Sequence, residues 1–215
     1  MAGRTRGQRA GLTREAVLEA AMTLADREGL AALSMRRLGA ELGVEAMTLY
    51  HHVASKDALL DGLVERLFAE AAPPWFTGLS WREGMRGYAY SLRAALLAHP
   101  NVVPLVVSRP AMTPQNLRIM EDGLGALTTA GFPLDAALDA VYSLSDFVVG
   151  HVATQRSATS AEARVVPVSV PDPERFPLLA EAVRAQQRLG PNTRFDFALD
   201  AMLSGFEAAR TQDGR

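Results

Sequence analysis

Residues Leu33 to Lys56, LSMRRLGAELGVEAMTLYHHVASK, leave few options for how this chain folds. They read as two short amphipathic helices around a glycine turn, a helix-turn-helix. Ser34 is placed to cap the first helix, its hydroxyl accepting from a backbone N–H that would otherwise lack a partner. Leu38 and Leu42 recur one helical turn apart on a buried face. Gly39 leaves room for a second helix to approach closely. Gly43 ends the first helix, because the left-handed conformation needed there carries no steric penalty for glycine. Val44, Leu49 and Val53 supply the apolar face of the next helix, leaving Thr48, Tyr50 and His52 pointing outward, with Lys56 just beyond. Hydroxyl, phenol and imidazole groups on one polar face suit a major groove lined with phosphates and base edges. A plain pair of core helices would leave the exposed Tyr50 and the basic turn without a role.

A chain of 215 residues holds one large domain, or a small one joined to a larger one, and buries a substantial core. Its formal net charge of -2 would by itself argue against nucleic acid. Distribution matters more. Arg4, Arg6, Arg9 and Arg14 have no acidic residue among them, and Arg36, Arg37 and Lys56, the chain's single lysine, add positive charge around the two-helix motif. Neutralising phosphates releases counterions and supplies most sequence-independent affinity, so a local basic face suffices. The arm over residues 1–12 is either a solvated tail or a segment ordered on DNA; both states are compatible. With no cysteine, the chain has neither disulfides nor a cysteine-based metal or nucleophilic site. Its first residues, MAGRTRGQRAG, lack an apolar stretch, and no later run is long enough to span a bilayer, so a soluble cytoplasmic protein is expected.

The fold class expected is all-α. Thr13 starts a helix ending near Glu28 and Gly29, the two-helix motif follows, and Ser55 caps a longer helix that stops at Pro73 and Pro74. Beyond the prolines, helical spacing recurs in WREGMRGYAYSLRAALLAH, TPQNLRIMEDGLGALTTAG and LDAALDAVYSLSDFVVGHVATQ. From about Ser157 to Pro177 the chain turns polar and proline-spaced, and within it VVPVSV is the one ambiguous run. LLAEAVRAQQRL and TRFDFALDAMLSGFEAAR read as closing helices. The domains expected are a three-helix DNA-binding unit over residues 13–72, including the connecting helix, and a larger helical unit over residues 73–215. The helix around DAALDAVYSLSDFVVGHV is apolar over much of its circumference, which calls for two partners, either a second subunit or the interior of one large core. A two-fold dimer would set two reading helices on half-sites about one helical turn apart on a near-palindrome.

LTREAVLEAAMTLADREGLAALSMRRLGAELGV, running on through EAMTLYHHVASKDALLDGLVE, resembles the amino-terminal region of the tetracycline-repressor (TetR) family of transcriptional regulators. The second half is similar to the tetracycline-repressor branch, in SWREGMRGYAYSLRAALLAHP, Ser108 to Pro110, LTTAGFPLDAALDAVYSLSDFVVGHV and FDFALDAMLSGFE. The resemblance implies an effector-binding core in which helices near Leu134–Gln155 and Thr193–Ala209 pair with those of a second subunit.

The family's DNA contacts map onto Arg36, Ala46, Met47, Thr48, Tyr50, His52 and Lys56. Arg36 would reach a guanine edge or a phosphate, while Tyr50, Thr48 and Lys56 would hold phosphates. The tetracycline repressor carries glutamine and proline where this chain has Ala46 and Met47. Neither replacement hydrogen-bonds a base bidentately, so a different operator is expected, read through thymine methyl contact. His51 and His52 do not make a metal pair, since adjacent helical residues point about 100° apart. The family's drug-chelated magnesium is held by histidine and carboxylate, but the nearest positions here are Ala72, Leu105 and Thr154, and its drug-binding asparagine aligns with Tyr88. No metal and no cofactor are therefore expected. The lining implied is Tyr88, Leu92, Leu105, Met112, Met120, Leu127, Leu138, Ser145 and Phe147, suited to a hydrophobic or aromatic small molecule.

Two other functional classes stay open at the level of sequence. His99, Asp146 and His151 raise catalysis, but no nucleophile or glycine-rich phosphate loop accompanies them, so no enzyme is expected. An architectural DNA-binding protein without effector would leave the large second half only dimerisation to perform.

Overall fold

In the computed structural model, residues 12–71, 78–109, 112–159, 171–187 and 192–211 are described. They form helices and turns, with no strand among the described residues. The basic arm up to residue 11 and VVPVSV at 165–170 lie outside them.

Helix α1, Arg14–Glu28, begins as its sequence dictates: Thr13 Oγ1 accepts from the Ala16 N–H at 3.1 Å. Such caps contribute about 1 kcal/mol each. Helix α2, Met35–Leu42, is capped by Ser34 in the same way and ends at Gly43 in the left-handed region, φ 68°. The chain then folds back tightly, the Val44 N–H donating to the Gly39 carbonyl at 2.9 Å. A Cβ on Gly39 would stand 2.8 Å from the Val44 carbonyl oxygen, so the bare α-carbon is what permits the turn.

The second helix of the motif is shorter than its pattern predicts. Helix α3 spans only Ala46–Leu49. The next backbone bonds are three-residue ones, His51 N–H to Thr48 and His52 N–H to Leu49, so Tyr50 and His52 stand on a tightened turn rather than on a helical face. The cause is the packing of Leu49 and Val53, both buried, with Ser55 already committed to capping α4 through the Ala58 N–H at 3.0 Å. Leu42 and Val44 are only half-buried.

Helix α4, Lys56–Ala71, packs on both α1 and α5, and α5 spans Trp81–Ala98. Ser80 and Glu83 close a reciprocal capping box on α5. Helix α6, Val103–Ser108, follows a 3-10 turn at Pro100–Val102 and has no counterpart in the sequence-based reading. Pro100 and Pro104 each sit in a first turn, where the missing N–H costs nothing. Helices α7, Pro114–Thr129, and α8, Leu134–Thr159, follow the predicted periodicity, α8 extending past the predicted Gln155. Helices α9, Pro177–Gln187, and α10, Thr193–Thr211, complete the chain.

Helix α8 packs much of its apolar circumference inside the chain, one of the two surroundings its sequence allows. Its apolar residues Ala137, Ala140, Val141, Leu144, Val148 and Val152 are buried within this chain, where α8 packs on α5, α6, α7 and α10. Most of its apolar circumference is thus accounted for internally. Large apolar groups that stay exposed include Leu134 and Tyr142 on α8, Phe197 on α10, and Phe176, Leu178 and Leu179 at the start of α9.

Gly39→Ala places a methyl group against a backbone oxygen, which cannot swing away as a side chain could. Stability is expected to fall by about 1 to 3 kcal/mol, several degrees in Tm for a chain of this size, measured by thermal denaturation.

Candidate nucleic-acid interface and effector cavity

The outward side of the helix-turn-helix carries the residues its sequence pattern picks out. Met47 is 70% and Tyr50 42% exposed, Arg36 and Lys56 are exposed, and Ala46, Thr48 and His52 are half-buried. Arg37 is not equally available. Its Nη2 donates to Glu28 Oε1 at 2.8 Å, and Arg27 in turn grips Glu28 at 2.9 Å and Glu41 at 3.0 Å. Arg37 first and Arg27 second hold the Glu28 carboxyl below the usual carboxylate range. This network fixes the end of α1 against α2, so Arg36 and Lys56 remain the cations presented beside α3.

Polar links tie this region to the rest of the chain. Asn101 Nδ2 donates to the Ala25 and Asp26 carbonyls, each at 3.0 Å, closing the carboxyl end of α1. His99 Nδ1 lies 2.7 Å from Asp26 Oδ2 and its Nε2 3.2 Å from Glu70 Oε2, so one imidazole bridges α1 and α4. Arg109, just past α6, donates to Asp61 Oδ1 at 2.7 Å and Asp57 Oδ1 at 2.6 Å, on the first two turns of α4.

Arg109 also lines a cavity of about 400 Å³ between α4, α5, α6, α7 and α8. Its wall includes Phe68, Tyr88, Val106, Val107, Asn116, Ile119, Met120, Gly123, Val141, Tyr142, Ser145, Asp146, Val149 and Gly150. Tyr88 is buried, its phenol oxygen 3.0 Å from Ser145 Oγ. Burial pushes the phenol pKa up, and the Ser145 contact offsets part of the shift.

Of the residues expected in this lining, Tyr88, Met120 and Ser145 are brought together. Leu92, Leu105 and Leu127 are buried in the core and absent from the wall. Met112 is 64% exposed, Leu138 is half-buried elsewhere on α8, and Phe147 stacks on Phe195 at 5.3 Å between ring centroids. The sequence-based reading missed apolar wall residues such as Phe68, Val106, Ile119 and Val141, and with them the polar Arg109, Asn116 and Asp146. A signal existed in helical spacing, since Asn116, Ile119 and Gly123 share a face of α7 with Met120.

The wall does not fit a chelated divalent cation. Among the described residues it offers one carboxylate, Asp146, no histidine, and a guanidinium in the same surface. Leu105 is buried, the Thr154 hydroxyl donates to the Gly150 carbonyl, and Ala72 lies outside the described residues. His99, Asp146 and His151 occupy separate surroundings: His99 at the α1–α4 junction, Asp146 in the cavity wall, His151 against Phe147 and Phe195.

Two family models match. "Bacterial regulatory proteins, tetR family" covers residues 17–63, and "Tetracyclin repressor-like, C-terminal domain" covers residues 76–210. The chain belongs to the TetR family of transcriptional regulators. The class E tetracycline repressor protein of Escherichia coli is 34% identical, over 93% of this chain and 92% of its own length. The TetR-family protein ActR of Streptomyces coelicolor, in complex with actinorhodin, superposes with a TM-score of 0.78 at 28% identity, over 94% of this chain and 100% of that one. BioQ, solved with its double-stranded DNA operator, gives a TM-score of 0.61 at 26% identity, over 92% of this chain and 99% of that one. Among the described residues of this TetR-family chain, no helix is long and apolar enough to cross a membrane.

Because the folded Glu28 pKa lies below its ordinary 4.5, its ion pairs stabilise the fold above that value and are lost as pH falls through the folded pKa. Thermal melts taken from neutral to acid pH are expected to decline more steeply for the natural chain than for Glu28→Gln.

Proposed function

We propose that this chain is a transcriptional repressor that binds a near-palindromic operator as a homodimer and is released by a small-molecule effector. The observation that carries the reading is Arg109, which lines the cavity and at the same time grips Asp57 and Asp61 beside Lys56. A molecule entering that wall disturbs the arginine that orients α4, and α4 holds the helix-turn-helix. Coupling of about 1 to 3 kcal/mol suffices to empty an operator.

Residues 13–72 act as the DNA-binding unit and residues 73–215 as the effector and dimerisation unit. Arg36, Ala46, Met47, Thr48, Tyr50, His52 and Lys56 form the DNA face, and the basic arm adds phosphate contacts. Operator and actinorhodin complexes of BioQ and ActR support both halves of the reading. Exposed Tyr142, Leu134 and Phe197 on α8 and α10 give a second subunit apolar surface to cover. We further infer a cytoplasmic protein without catalytic activity, cofactor or bound metal.

Selecting bound sequences from random DNA, then screening compounds for release of the winning duplex, tests the whole reading. A palindrome preferred by about a thousandfold or more over random DNA, and released by at least one compound, is the expected result. No sequence preference would sink the repressor, and indifference to every compound would sink the sensor.

Within that assay, Lys56→Ala is expected to weaken operator binding and lower the slope of log affinity against log salt by about one unit. Asp61→Asn removes one of the Arg109 anchors without entering the cavity wall. The affinity ratio with and without a releasing compound is expected to shrink about fivefold, while that compound's own binding, followed by calorimetry, changes little.

A further inference from the structure

Asn116 sits in the first turn of α7, its backbone N–H fixed by the Thr113 hydroxyl at 3.3 Å. Its side chain lines the cavity and is only 7% exposed. Neither its Nδ2 nor its Oδ1 has a hydrogen-bond partner. Buried amides in folded proteins are nearly always satisfied, and leaving one unmade costs about 1 to 3 kcal/mol per group.

Three polar groups of the cavity wall are engaged with other partners. The Ser145 hydroxyl donates to the Val141 carbonyl at 2.8 Å, so the Tyr88 phenol is the donor in its contact with Ser145. Arg109 is engaged by Asp57 and Asp61. The same wall carries Phe68, Val106, Ile119 and Val141, whose side chains offer no polar atom, together with Tyr142 and Asp146, whose side chains do.

Building on the effector reading above, we propose that Asn116 is the polar reader of the effector, and that the effector has an apolar body bearing a hydrogen-bond donor and acceptor side by side. A carboxamide presents one N–H edge and one carbonyl edge in a single plane, so a complementary partner makes two parallel bonds, as asparagine does with adenine. A primary amide, a lactam or an enolised hydroxy-ketone offers such an edge. An ionised carboxylic acid offers acceptors only and leaves Oδ1 unpaired. A pure hydrocarbon leaves both atoms unpaired. The cavity of about 400 Å³ lies within the range of drug-sized sites.

The test uses three probes of one shape: anthracene carboxamide, anthracene methyl ester and anthracene, titrated against the full chain and against Asn116→Leu. The natural chain is expected to bind the carboxamide about tenfold more tightly than either other probe, and Asn116→Leu to abolish that preference. Without any probe, Asn116→Leu is expected to raise Tm by roughly 2 to 6 °C, because an isosteric apolar group replaces an unpaired amide. A purely structural asparagine would lower it. Equal affinities for the three probes, no binding of any of them, a preference that survives Asn116→Leu, or a fall in Tm each overturns the proposal. Release of operator by some other compound would in those cases leave the repressor reading intact. Conversely, an Asn116-dependent preference without operator release by any compound would count against the sensing half of the proposed function alone.

Discussion

Helix α4 is the constraint from which the rest of the molecule follows. Leu59, Leu63 and Leu67 are fully buried along it, and they belong to one continuous hydrophobic core that runs from Val17 on α1 to Leu203 on α10. Fully burying a leucine is worth roughly 1.5 to 3 kcal/mol, so these three residues alone bind the two halves together by several kcal/mol. The helix-turn-helix is therefore not a separate bead on a linker. Its foundation, α4, is also a wall of the second half, and neither half moves independently of that helix.

Apolar contact holds α4 in place but is indifferent to small rotations. Orientation comes from directional bonds along its length. His99 reaches Glu70 near the carboxyl end, and Arg109 holds Asp57 and Asp61 at the amino end. Between the two ends Arg14 pairs with Glu65 at 2.7 Å and Arg66 with Glu19, tying the middle of the helix to α1. Arg109 is the group among them that also touches the cavity. In the proposed mechanism sensing and reading share that side chain, which removes the need for a long relay.

How much of this was legible in the chain depended on whether the information was local. Thr13, Ser34 and Ser55 cap the helices they were expected to cap, and Gly43 is left-handed, because each of these effects acts within a few residues. The long helices followed from their apolar spacing for the same reason. Helix α3 was overestimated because the positions of Leu49 and Val53 are dictated by what they pack against. The cavity was the hardest to read. Leu127 and Met120 are equally apolar and lie on the same helix, yet one is sealed in the core and the other faces open space. Which apolar face is left uncovered depends on helices distant in sequence. Asn116 escaped notice because a search for hydrophobic lining passes over an amide.

The shortness of α3 separates two kinds of change. Within Ala46–Leu49 only Leu49 is fully buried, whereas Met47 projects almost freely and Tyr50 follows on an exposed turn. On the proposed DNA face, substitutions at these projecting positions would alter which bases are met while leaving the core that supports them untouched. A lineage built on this scaffold can therefore be retargeted to new promoters by single changes at little cost in folding. Glycine 39, which allows the turn, has no comparable freedom: it is the fixed hinge around which such recognition surfaces are exchanged.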